Sequence, residues 1–263
     1  MPERDDFLAA ADFPEALRKI RERTPARILV GRSGAAYRTR TQLDLREAHA
    51  AARDAVRAEL HPFSDFGAAF LEQWNLFEIR TAAQSKEEYL LRPDLGRRLD
   101  ETSRQELVKR CTRGDDLQIA IGDGLSVTAV AAQVPALLPL LDAGARQRGW
   151  KLGHPFLIRH CRVGVLNEIG ELLAPKVAVL LIGERPGLAT AESLSAYMAF
   201  RPDRNQTDAQ RNLISNIHAR GLTAPAAAER ILNLAAQMMA QQSSGFRIRE
   251  QLPETSGGSG LQE

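Results

Sequence analysis

Glu184 and Arg185 form the adjacent pair whose side chains could do chemistry, and they sit in Gly183-Glu184-Arg185-Pro186-Gly187. A carboxylate accepts hydrogen bonds and a guanidinium donates them in a planar fork. Together they could grip a polar ligand; paired with each other at the surface they would mean little. The preceding residues favour the ligand reading. VAVLLIG, 177–183, carries no charge and reads as a strand covered on both faces. Open α/β sheets bind ligands where loops leave the carboxyl ends of their strands.

A second loop of the same kind is Asp123-Gly124-Leu125-Ser126, after the apolar run LQIAIG at 117–122. It reads either as a ligand loop or as a strand-to-helix turn with a helix cap, and its local spacing favours the turn. The five histidines, His49, His61, His154, His160 and His218, form no H-x-x-x-H or similar ligand pair, so no metal site is expected. No G-x-G-x-x-G follows a strand, and GRSG at 31–34 lacks the Lys and spacing of a phosphate loop. There is no G-x-S-x-G, and Ser193 and Ser195 have no evident His/Asp partnership. Local chemistry therefore gives a Rossmann-like binding domain without catalytic residues of its own.

The elements that must carry these loops follow from patterning. Residues 1–115 hold 21 basic and 20 acidic residues; the longer remainder holds 14 and 13, so the first part suits exposed amphipathic helices and the second the buried strands. Helices are expected at 14–23, at 41–60, and from Asp94 through Cys111, with Asp94 as a possible cap. Between the first two lies a basic, Gly-containing loop. In the second part, strands are expected at 117–122, 156–161, 177–183 and 194–200. Helices are expected from the Asp123 turn through Arg148, and at 166–173, 207–218 and 224–242. This alternation argues for an α/β fold with a mostly parallel sheet. The expected organisation is a helical region at 1–112, a Rossmann-like domain at 113–250 and a Gly/Ser-rich disordered tail at 251–263.

Composition narrows the function. Thirty-five basic against 33 acidic residues is too balanced for a nucleic-acid binder relying on phosphate contacts. No apolar run approaches the ~20 residues of a membrane span, so none is expected. Cys111 and Cys161 match no metal or redox spacing and are not expected to pair. The acidic start, MPERDDFLAAADF, lacks a signal-peptide core, and a reducing, cytoplasmic setting is expected.

Beyond local spacing, the chain resembles the small (light) subunit of ethanolamine ammonia-lyase. The segments that carry the resemblance are RILVGRSG (27–34), YLLRPDLGRRL (89–99), IGDGLS (121–126), HPFLIRHCRVGVLNEIGELL (154–173), KVAVLLIGERPGLATAESLSAYMAF (176–200) and NLISNIHARGLTAPAAAERI (212–231). They occur in the family's order.

The resemblance implies an adenosylcobalamin-dependent radical enzyme that converts ethanolamine to acetaldehyde and ammonia. It implies a hetero-oligomer in which a large, TIM-barrel subunit holds the substrate and the radical chemistry. The small subunit would close over the cobalamin and have no activity alone. Its cobalamin contacts would fall on Val163 with Arg162 beside it, on Glu184 with Arg185 beside it, and on Leu213. Core packing is the competing reading of Val163 and Leu213. Family members with a long N-terminal extension are directed to a bacterial microcompartment; this chain begins near its first helix, so cytoplasmic residence is expected instead. No D-x-H-x-x-G loop is present, so the cofactor is expected to keep its own base on cobalt. The alternative reading is a Rossmann-like structural subunit that makes no cofactor contact.

Overall fold

The computed structural model describes residues 13–23, 27–28, 30–248 and 250. The tail expected at 251–263 lies outside the described residues, as do residues 1–12. The helices are α1 (Phe13–Arg23), α2 (Thr39–Arg57), α3 (Pro62–Phe66), α4 (Ala68–Trp74), α5 (Lys86–Leu91), α6 (Glu101–Arg110), α7 (Val127–Gln147), α8 (Val165–Leu173) and α9 (Ala224–Gln241). The strands are β1 (Arg32–Ser33), β2 (Ala36–Tyr37), β3 (Glu78–Arg80), β4 (Leu117–Gly122), β5 (Phe156–Arg159), β6 (Val177–Gly183), β7 (Leu194–Phe200) and β8 (Asn212–Ile217).

β1 and β2 form a small hairpin, while the other six strands make one sheet in the order β3-β5-β4-β6-β7-β8. The first four run parallel, and β7 and β8 add antiparallel pairings. The fold is α/β with a mixed sheet. Two apolar layers sandwich it. On one face α7 and α9 pack over Ile119, Ile121, Val179 and Leu181, and Leu60 joins them from the N-terminal region. On the other, α8 and Leu107 of α6 cover Ala120, Phe156, Leu180 and Ile182.

Every residue of β4 and β6 is buried, as their uncharged runs require of strands covered on both faces. The chain leaves β4 for β5 on one side, while β6 leads to β7 on the other. The loops after β4, β5 and β6 all leave the carboxyl ends of neighbouring parallel strands, where open α/β sheets bind ligands.

Five expectations are corrected. Residues 207–218 are not a helix: they hold one 3₁₀ turn (Asp208–Gln210) and then β8. Strands are not confined to the less charged part, because β3 supplies the sheet's edge beside β5. β5 stops at Arg159 because His160 takes a left-handed backbone, φ 57°. The helix placed from Asp94 starts only at Glu101, capped by Asp100, which accepts from the Ser103 N–H at 2.7 Å. Asp94 instead binds Arg92 twice, at 3.0 and 2.8 Å. Finally, α7 is long and apolar enough, by length and composition, to cross a membrane. Its Val130, Val134, Leu137, Leu138 and Leu141 are fully buried in the core beside the sheet and α9, which accounts for that composition.

Candidate functional site

Three loops meet at the carboxyl ends of β4, β5 and β6. Their backbones interlock: the Leu125 N–H donates to Gly183 O at 3.0 Å, and the Asp123 N–H to Ile158 O at 3.1 Å. The approach demands glycine. Gly124 has φ +58°, and a Cβ there would overlap the Gly183 backbone. A Cβ on Gly183 would in turn overlap the Ser126 carbonyl. Ser126 caps α7, accepting from the Ala129 N–H at 3.2 Å. The turn-and-cap reading of this loop is thus met, with Ser126 as the cap.

Asp123 does something else. It is buried, and its two carboxylate oxygens accept from the His160 and Cys161 N–H groups at 2.9 and 2.8 Å. This fixes the left-handed turn that ends β5. Burial pushes the Asp123 carboxyl pKa up, while the charge of Lys86 and the two amides oppose the rise. Lys86, only 2% exposed, donates to Gly124 O at 3.2 Å. Burial lowers its pKa. Tyr89 completes the support, with its hydroxyl on Cys161 O at 3.0 Å and the Arg162 guanidinium 4.2 Å above its ring. Cys111 and Cys161 are buried free thiols.

Above this support is a pocket of about 260 Å³. Arg162, Val163, Glu184 and Arg185 all line it, with Tyr89, Gly124, Leu125, Ile182 and Tyr197. Leu213 is not in its wall. It stands on β8 directly opposite Tyr197 and is 46% exposed, so core packing does not describe it. Val163 is partly buried against the layer that includes Ile182. Glu184 and Arg185 do not form an ion pair with each other; Arg185 is exposed and has no side-chain partner among the described residues. Glu184 lies against the Tyr197 phenol, whose pKa is raised first by burial and then by the Glu184 charge.

The three remote positions Val163, Glu184 and Leu213 therefore surround Tyr197, a residue that sequence reasoning passed over as part of a strand. Its signal was available: LSAYMAF places Tyr197 on the face opposite Leu194, Ala196 and Met198, next to the carboxyl-end loops. Lys86, Tyr89 and Asp123 were also missed as a supporting set. They are distant in sequence, and no short motif joins them.

The pocket's donor set suits an amide-rich or acidic ligand edge. Arg162 lines the pocket with an Nε that is buried without a partner; Ser195 Oγ, also unpartnered, stands opposite Ile182 in the sheet and outside the pocket wall. The Glu184 carboxylate lines the same pocket as an acceptor. A volume of about 260 Å³ falls below the ~300–1,000 Å³ of pockets that enclose a drug-sized ligand. This wall can therefore hold only an edge of a larger group.

Most of the chain, residues 14–249, matches the family model of the ethanolamine ammonia-lyase light chain (EutC). The chain belongs to that family. It is 40% identical over 242 residues to the ethanolamine ammonia-lyase small subunit of Fusobacterium nucleatum, covering 92% of this chain and 80% of that one. It is 39% identical over 235 residues to the small subunit of Clostridium perfringens, covering 89% and 78%. To the small subunit of Clostridium acetobutylicum it is 38% identical over 235 residues, covering 89% and 95%. In this member of the light-chain family, the pocket and its supports all fall inside the matched span.

Proposed function

We propose that this chain is the small subunit of an ethanolamine ammonia-lyase, assembles with a large subunit, and forms one wall of an adenosylcobalamin site. The observation that carries the reading is the pocket gathering Arg162, Val163, Glu184 and Arg185 around Tyr197. Family membership supplies the reaction class. The substrate site and most of the cofactor enclosure belong to the large subunit, consistent with a pocket that admits only an edge. When bound, adenosylcobalamin supplies radical chemistry through its cobalt–carbon bond, and the products are acetaldehyde and ammonia.

This chain's residues bind and orient. Glu184 accepts hydrogen bonds from amide N–H groups at the corrin rim. Arg162, held over Tyr89, donates to amide oxygens. Val163 and Leu213 give apolar contact and keep water out. The α/β sheet carries Arg162, Val163 and Glu184 on loops above buried strands. Three histidines bond within the chain, which favours a cofactor that keeps its own base on cobalt, although His160 Nε2 is buried without a partner. His154 Nε2 binds Asn75 O at 2.8 Å, and His160 Nδ1 donates to Ala83 O at 3.1 Å. His218 accepts the Arg220 N–H on Nδ1 and donates from Nε2 to Asn216.

Co-expression with the large subunit tests the proposal. Aldehyde release from ethanolamine should require both chains and adenosylcobalamin together. Full activity from the large subunit alone would refute it.

A further inference from the structure

A second cleft, about 780 Å³, adjoins the pocket and has no part in the reading above. The two meet along the chain at Val163–Gly164, since Val163 lines one and Gly164 the other. They also meet at Tyr197, which lines the pocket while the Asp208 and Arg211 charges of the cleft act on its phenol.

Arginine dominates this cleft, and its carboxylates are already matched. Glu168 binds Arg104 at 2.5 Å, Glu171 binds Arg204, and Asp208 binds Arg211. Asp94 is taken by Arg92. Arg97 has no ion-pair partner among the described residues, so the cleft carries unmatched positive charge. Its stem crosses Gly164, where a Cβ would stand 2.8 Å from Arg97 Cγ.

The Arg211 side chain is 5% exposed, and its Nε has no partner. Its Nη2 donates to Asn167 Oδ1 at 2.8 Å. Burial lowers its pKa and the Arg97 charge adds to that, against the opposing pull of Asp208. Arg97 and the unpartnered Arg211 Nε line one cleft, with Asp208 holding only Arg211 Nη1, so together they offer donors to an anion.

We infer that this cleft is a phosphate subsite, with Arg97 as its open donor and Arg211 as its buried anchor. The phosphate could be the phosphodiester in the nucleotide tail of the corrinoid whose rim the pocket holds, or free phosphate. The first source rests on the proposed cofactor role; the second does not.

The test uses the complex of this chain with its large subunit, with or without Arg97→Gln. Arg97 is exposed, so the substitution leaves the fold intact. Three probes are titrated: hydroxocobalamin; cobinamide, which lacks the nucleotide tail and its phosphate; and inorganic phosphate. We expect Arg97→Gln to weaken cobalamin about tenfold or more, to leave cobinamide unchanged, and to abolish phosphate competition against cobalamin. Loss of phosphate binding with both corrinoids unaffected would support the subsite with free phosphate as its ligand. A variant that binds cobalamin and phosphate as the wild type does would overturn the inference while leaving the cofactor reading intact. Wild-type complex that binds neither corrinoid would refute the cofactor reading, and the phosphate titration would then judge the cleft alone.

Discussion

The phenol of Tyr197 lies against the carboxylate of Glu184 and, with burial, is held in its neutral form. Tyr197 thereby links the β6 loop to the middle of β7, and its neighbour across the sheet is Leu213. Tyr197→Phe should cost about 1 kcal/mol or less in stability, the net worth of one hydrogen-bonding group. It should also weaken corrinoid binding less than Glu184→Ala does. In the double variant the two losses should not add, since both act on one carboxylate. Additive losses in corrinoid titrations would separate the two residues.

Arg159 ties the N-terminal region to the sheet. Its guanidinium donates to Glu78 at 3.0 and 2.8 Å, to Glu59 at 3.1 Å and to Leu60 O at 2.9 Å. The side chain is 14% exposed. Arg159→Ala should lower unfolding free energy by about 1.5–3 kcal/mol, the worth of hydrogen bonds to charged groups, with Arg80 left to pair with Glu78 at 3.4 Å. A urea midpoint unchanged from wild type would contradict this.

Most of the sheet was legible because β4, β6 and β7 bury uncharged runs, and a short uncharged run between turn residues fits a covered strand better than a helix. β8 was misread for a physical reason. Ala196 pairs with Ile214 but Leu194 pairs with Ile217, so a bulge puts one extra residue in β8. Two inward isoleucines three apart imitate the period of a helix. β3 was missed because it has three residues and only Ile79 is buried. At the site, Glu184 was legible from a local cluster after a buried strand. Val163, which lines the pocket, and Leu213, which does not, were named only through family resemblance. The Lys86–Asp123–Tyr89 support was not legible, because burial and long-range proximity created it.

Gly183→Ala tests the interlocked loops. The new methyl would press on the Ser126 backbone, which is held by the cap of α7. Destabilisation of about 1–3 kcal/mol is expected from overpacking, together with weaker corrinoid binding. Thermal or urea unfolding of the variant at wild-type stability would show that the loops yield freely.

His218 gives a pH dependence. Burial, then the Arg220 charge, lowers its pKa from 6.5. Protonation would also place a second N–H against the Arg220 amide that Nδ1 now accepts. The folded pKa lies below the unfolded one, so the unfolded chain binds the extra proton more readily. Its contribution is therefore complete above pH 6.5 and is lost as pH falls from 6.5 through the lower folded value. His218→Gln should flatten the slope of stability against pH in that window. An identical slope in the variant would place the titration elsewhere.

Adenosylcobalamin titration of the assembled complex carrying Glu184→Ala tests the cofactor-pocket claim most directly. We expect a folded, correctly assembled complex whose cofactor affinity falls about tenfold or more, the effect of losing hydrogen bonds to a charged group. An affinity equal to wild type would contradict the claim and leave this chain as a structural partner without cofactor contact.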